Sequence, residues 1–354
     1  LQLDSSFTPA LVHLIDGELY DNPDRTEFRR LHALLARGDA SAEVAPYQYW
    51  ARVLGLGDTA AVRALHASMD TASTGMVSWL TYYPLFGIGE LRDIERAVEI
   101  LHRRTAADPA VESGRLWRNL HSGLVSLGRP TATRALLERA IDGAASPVPW
   151  LIHAVDEALH AEGDSAFAAV AANRLELLTR GDTTAAAGLP LCALGRWRAW
   201  SGERVDVIAD GLTRLGEGNV VCANLIRTIR AVVTDAPDAA AQLARLDSEV
   251  RVGPSIGEVQ LMRVNISLAR LHEASGDPAG ALRAIRRRPS SANSDLWYVP
   301  ALEFEGRMAA AIGDRDAAIR VFTRWLELRA SAEPMLQPRI ERVRAELARL
   351  TAEG

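Results

Sequence analysis

His153, Asp156, Glu157 and His160 form the densest group of acid–base side chains in this sequence. Their spacing of three, four and seven residues puts them on one face of a helix. Such a group could move protons or hold a cation, but no nucleophile stands near it and no HExxH or HxH pattern accompanies it. Gly253-Pro-Ser255-Ile-Gly257 has the form of a nucleophile elbow. That form works only at a strand-to-helix turn; nothing around it reads as strand, so it reads as a loop. Gly55-Leu-Gly57 fits a dinucleotide loop loosely, again without a preceding strand. All 40 basic residues are arginine, so a phosphate loop that needs lysine is excluded. Cys192 and Cys222 lack the spacing of a zinc site. They read as unpaired thiols in apolar helices, in keeping with a reducing, cytoplasmic setting. The expectation is a protein without catalytic residues, metal ligands or cofactor.

The elements that would position these side chains follow a beat. Glycine recurs at 57, 128, 163, 202, 276 and 313, usually before a charged residue and with alanine about five positions on. Gly89-Glu90 and Asp235-Ala-Pro237 fill the two long gaps, giving intervals of 32 to 41 residues, and Asp21-Asn-Pro23 stands one interval before Gly57. Periods in this range mark stacked supersecondary units. Leu116, Leu120, Leu124 and Leu127 precede Gly128 at helical spacing, and Ala132, Leu136, Leu137 and Ala140 follow it. Each beat is therefore a helix–turn–helix hairpin. The glycine supplies the left-handed residue that ends the first helix. Asp58, Asp164, Asp277 or Asp314 caps the second, and Pro130 and Pro278 suit a helix start. Ala168, Ala281 and Ala318 let the paired helices approach closely. Arg339 to Leu350, after Pro334 and Pro338, reads as a final amphipathic capping helix.

The chain of 354 residues, 48% hydrophobic and 6% aromatic, suits a folded, helix-rich protein. Its net charge of -5 argues against nucleic-acid binding by bulk electrostatics. No run is long and apolar enough to span a membrane. The fold class expected is all-α: a superhelical array of about nine antiparallel helix pairs over residues 1–354, with a bend near 252–256.

This pattern resembles the tetratricopeptide repeat, a helix–turn–helix unit. Trp117, Leu120, Leu124, Leu137 and Ala140 fit one unit, Leu194-Gly195 before Gly202 a second, and Gly306, Gly313, Ala318 and Phe322 a third. Glu305 stands where that family has leucine, and Thr133 and Val207 where it has alanine. The resemblance implies a right-handed superhelix whose first helices line an inner groove that binds peptides. On that register Arg196, Arg270 and Arg307 occupy equivalent inward positions. Arg118 and His153 lie in a neighbouring inward row, and Trp200 lies one turn beyond Arg196. Arginines beside an aromatic ring suit an acidic peptide, because guanidinium grips carboxylate bidentately. That reading requires Arg196, Arg270 and Arg307 not to be consumed by internal ion pairs.

Divergent alanine- and arginine-rich arrays of this kind are similar to the C-terminal repeat regions of bacterial Ser/Thr kinases and transcriptional activators, and the first residues read as the junction after an upstream repeat or domain. The function expected is a peptide- or protein-binding scaffold or sensor within a larger regulator. The alternatives are a small-molecule-sensing domain, an enzyme on a helical scaffold, and a self-assembly element. Among the tryptophans, Trp117 and Trp325 read as core, while Trp150 and Trp297 read as half exposed at helix starts.

Overall fold

A computed structural model of the chain describes residues 26–35, 91–107, 115–160, 163–182, 184–252, 258–287 and 298–352, with a few positions between 60 and 81. Every regular element among these residues is a helix, as the periodicity requires. The turns at 21, 57 and 89, Asp58, the loop holding Ser255, the bend near 252–256 and Trp297 fall wholly or largely outside the described residues.

The chain divides into two compact units: Leu1–Gly123 with Ser290–Asp295, and Leu124–Pro289 with Leu296–Gly354. The first contains α1 (Thr26–Leu35), α2 (Thr74–Trp79), α3 (Leu91–Ala107) and most of α4 (Arg115–Leu127). Within it α2 packs on α3. Arg104 ties them together by donating to Thr74 Oγ1 at 3.2 Å and to the Asp70 carbonyl at 3.0 Å.

The second unit begins with the end of α4 and continues through α5 (Pro130–Gly143), α6 (Val148–His160), α7 (Ser165–Thr179) and α8 (Gly188–Trp200). Next come α9 (Asp206–Arg214), α10 (Val220–Val233), α11 (Ala239–Val252) and α12 (Glu258–Ala274). It closes with α13 (Pro278–Arg286), α14 (Tyr298–Ala311), α15 (Arg315–Leu328) and α16 (Gln337–Ala352). The turns read from the sequence at 128, 163, 202, 235, 276 and 313 each separate two of these helices.

The hairpins arise locally, as the residue types dictate. Gly128, Gly202, Gly276 and Gly313 adopt φ between +68° and +81°. At each, the next residue's N–H reaches back to the preceding helix, as in Asp277 N to the His272 carbonyl at 2.8 Å and Asp314 N to the Ala309 carbonyl at 2.9 Å. Asp235 takes the same place without being glycine, at φ 49°, and Ala236 N closes the turn onto Ala231. The caps follow. Asp164 accepts from Ala166 N and Phe167 N, Asp277 from Gly280 N, and Asp314 from Ala317 N. Pro130 and Pro278 stand in the first turns of α5 and α13. Ala168, Ala281 and Ala318 are completely buried, as close helix approach demands. Glycine at 163 answers a different need, because a Cβ there would stand 2.6 Å from the Ala158 nitrogen in the last turn of α6.

Packing beyond the hairpins sets the interior of this unit. The first helices of successive pairs touch: α6 on α8, α8 on α10, and α10 on α12. They are buried almost all round: residues 150–157 of α6, 192–196 of α8 and 263–269 of α12 are all buried. Trp150 is among them, only 7% exposed. The expectation that it stands half exposed at a helix start fails because α6 runs through the interior.

Candidate functional site

Asp156 is the centre of that interior. Its Oδ1 is bound by Arg196 of α8 and its Oδ2 lies 2.6 Å from Arg263 Nε of α12. Arg196 also meets His160 Nε2 at 2.8 Å. Asp156 is 0% exposed, Arg196 1% and Arg263 5%. Burial alone would raise the Asp156 pKa, but the two guanidiniums reverse that and hold the carboxyl below its ordinary range. His160 is pushed well below its ordinary value, first by burial and then by Arg196. It is therefore neutral; Nε2 accepts from Arg196, and the ring proton sits on Nδ1. An ionised carboxylate clamped between guanidiniums and an uncharged imidazole that accepts from one of them are structural groups. Neither is poised to exchange protons near neutral pH.

The six residues read from the sequence as ligand contacts are distributed as follows. Arg196 belongs to the buried triad and is not free to grip a ligand. At 1% exposed it lies inside the packed helices rather than at an open surface. Arg270 donates to the Leu159 carbonyl of α6 and lies over the Trp200 ring, 4.8 Å from its centroid. His153 is 8% exposed and packs against Trp150, with ring centroids 5.8 Å apart. Arg118 is exposed on α4 in the first unit. Arg307 lies at the surface of α14, beside Glu273 at 2.5 Å and Glu303 at 3.2 Å, so it, like Arg196, is held in internal ion pairs and does not meet the condition set for gripping an acidic peptide. Arg263 was missed, though it lies seven residues before Arg270 and so on the same helical face.

Arg307 opens onto a cavity of about 430 Å³ between α14 and α16. Its apolar lining is Ala310, Ala311, Phe322 and Val343. Its charged lining adds Arg339, Arg342 and Arg349 from α16, with Glu303 and Glu346. Arg339 meets Glu303 at 2.8 Å and Arg349 meets Glu346 at 2.6 Å. The helix read only as a cap thus supplies most of the cations of this groove. Positions 339, 342, 346 and 349 were legible as one helical face, but only folding shows what that face meets.

The cysteines differ from the expectation of unpaired thiols. Cys192 on α8 and Cys222 on α10 form a disulfide, with Cα atoms 5.9 Å apart. Both lie on first helices of adjacent pairs, which pack side by side and so bring residues 30 positions apart into register. The inference from cysteine usage to a reducing compartment thereby loses its basis. No helix among the described residues is long and apolar enough to cross a membrane.

No protein-family model matches this chain, and no curated protein is detectably similar to it.

Proposed function

We propose that this chain is a non-catalytic binding module, a divergent tetratricopeptide-like superhelix that engages a protein or peptide partner through its first-of-pair helices. It would serve as the sensor or scaffold of a larger regulator, of the kind that bacterial kinases and transcriptional activators carry. The observation that carries this reading is the arginine-lined groove between α14 and α16. Supporting it, the acid–base group on α6 is used up internally: Asp156 holds two buried arginines and His160 accepts from one of them.

The groove's volume also falls within the range of small-molecule sites, which favours a small effector as the second reading. Site-specific photo-crosslinking separates the two. A photoreactive residue at Ala311, in the groove, is expected to capture a partner protein in cells of the source organism. The same residue at Val207, 82% exposed on α9, is expected not to. Equal capture at both, or at neither, would sink the binding-module reading. Thermal stabilisation by metabolite extract with no crosslink would support the small effector instead.

A further inference from the structure

We infer that the second unit is built to fold in an oxidising compartment, outside the reducing interior of the cell, whatever the module binds. Cys192 and Cys222 are the chain's only cysteines, and they pair with each other. The packing of α8 on α10 is what brings them together. Gly188, Cys192 and Gly195 are spaced by four and three residues and so share one face of α8. A Cβ at Gly188 would strike the side chain of Asn219, the residue before α10, and a Cβ at Gly195 would strike Ile226 of α10. Position 188 thus meets 219, 192 meets 222 and 195 meets 226, a nearly constant offset that sets the two helices parallel and in register. Glycine on either side of Cys192 lets the helices approach closely. The cysteine Cα atoms stand 5.9 Å apart, inside the range of about 4.4 to 6.8 Å that a disulfide requires.

Burial then decides when the bond can form and break. Cys192 is 3% exposed and Cys222 6%, and Ala193, Leu194, Ala223 and Leu225 beside them in the chain are buried too. Thiol–disulfide exchange needs a thiolate to reach a sulfur, and an apolar interior excludes that charge. In the folded chain neither an oxidant nor a reductant meets these sulfurs, so the bond forms while the chain folds. One cysteine thiolate attacks the disulfide of a dithiol–disulfide oxidant, breaking it and leaving a mixed disulfide. The second cysteine thiolate attacks the first cysteine's sulfur and displaces the oxidant. The chain gives up two thiol protons and two electrons, and the oxidant leaves as a dithiol. A compartment that keeps such an oxidant in its disulfide form is an oxidising one. A chain folded among reduced thiols would bury two thiols instead. The pair therefore records where the chain folded.

The test counts thiols in cells of the source organism. Cells carrying the native protein, or its C192S/C222S variant, are quenched in acid, denatured and alkylated with a maleimide-linked polyethylene glycol, and the label is counted by immunoblot. The variant sets the count for any cysteine elsewhere in the protein. Before reduction the native protein is expected to carry the same number of labels as the variant, and after reduction two more. Two extra labels before reduction would mean that the chain folds among reduced thiols, which overturns the proposal. One extra label would show that the cysteines are not joined to each other and would overturn it too. A second measurement addresses burial. In the purified, oxidised chain, dithiothreitol should cleave the bond at least about tenfold more slowly in the folded state than in urea. Equal rates would show that solvent thiols reach the sulfurs after folding, and the bond would then no longer report the compartment.

Discussion

Glu333 accepts a hydrogen bond from the Thr131 backbone N–H at 2.9 Å although 202 residues separate them. Its other oxygen takes Ala132 N–H at 3.3 Å, and its own N–H donates to the Gly128 carbonyl at 2.9 Å. Helix α5 has no side-chain cap of its own, since Arg129 stands at its N-cap. Its cap comes instead from the loop between α15 and α16. Arg329, 1% exposed, completes the contact by donating to the Val125 and Ser126 carbonyls at the end of α4. The second unit is thus closed by one loop that satisfies the orphan groups of two helix ends.

Glu333→Ala removes that cap and is expected to cost about 1 kcal/mol of stability. Arg329→Ala leaves buried carbonyls unmatched and is expected to cost more, about 3 kcal/mol. Urea denaturation of the whole chain measures both. An Arg329→Ala midpoint equal to wild type would mean that the closure contributes nothing.

Asp156→Ala is expected to be the most damaging single change in the interior. It strands Arg196 and Arg263 without a counter-charge, a loss of about 3–5 kcal/mol. Asp210→Ala removes a solvent-exposed partner of Arg227 and should cost at most about 1 kcal/mol. Similar losses for the two would show that the triad is no more than a surface-type pair.

Acid should destabilise the fold in two steps. His160 has a folded pKa far below its ordinary 6.5, so the unfolded chain binds its proton first. Its contribution is complete above pH 6.5 and declines as the pH falls below that value. Asp156 has a folded pKa below its ordinary 3.8, so its contribution is present above 3.8 and is lost as the pH falls through the folded value. Both act in the same direction. Stability measured against pH should fall below 6.5 in wild type and fall less in His160→Gln over the same interval. An unchanged slope in the variant would assign the titration to another group.

Reduction should weaken the join between α8 and α10. The two cysteines lie 30 positions apart, and closing a loop of that length contributes about 3–4 kcal/mol on the chain-entropy estimate. Denaturation with and without dithiothreitol, beside the Cys192→Ser/Cys222→Ser double variant, measures it. The wild type should respond to reductant and the double variant should not. Free thiols titrated in the unreduced, unfolded wild type would contradict the bond itself.

The hairpins were legible because everything they need lies within a few residues. Gly313 and Asp314 end one helix and cap the next by contacts to Ala310, Ala309 and Ala317. Gly306, expected from the repeat resemblance, admits Phe322 of the paired helix so closely that a Cβ would stand 2.6 Å from the ring's Cδ1. Glu305, which breaks the leucine pattern, is buried but pairs with Arg286 at 2.9 Å. Departures of this kind were visible in the sequence, while their partners were not.

The sequence alone determined the helical class, the positions of the described turns and the small residues at the hairpin contacts, because helix periodicity, left-handed glycine and aspartate caps act over a single turn of chain. Tertiary structure alone decided that Asp156 would meet Arg263, that Cys192 would meet Cys222, and that Glu333 would cap a helix begun 200 positions earlier. It also decided that Arg196 would be sealed inside while Arg307 reached a groove. Two arginines with the same helical register carry the same local signal. What separates them is the packing of helices far apart in the chain, which sets burial, and burial sets the energy of a charge.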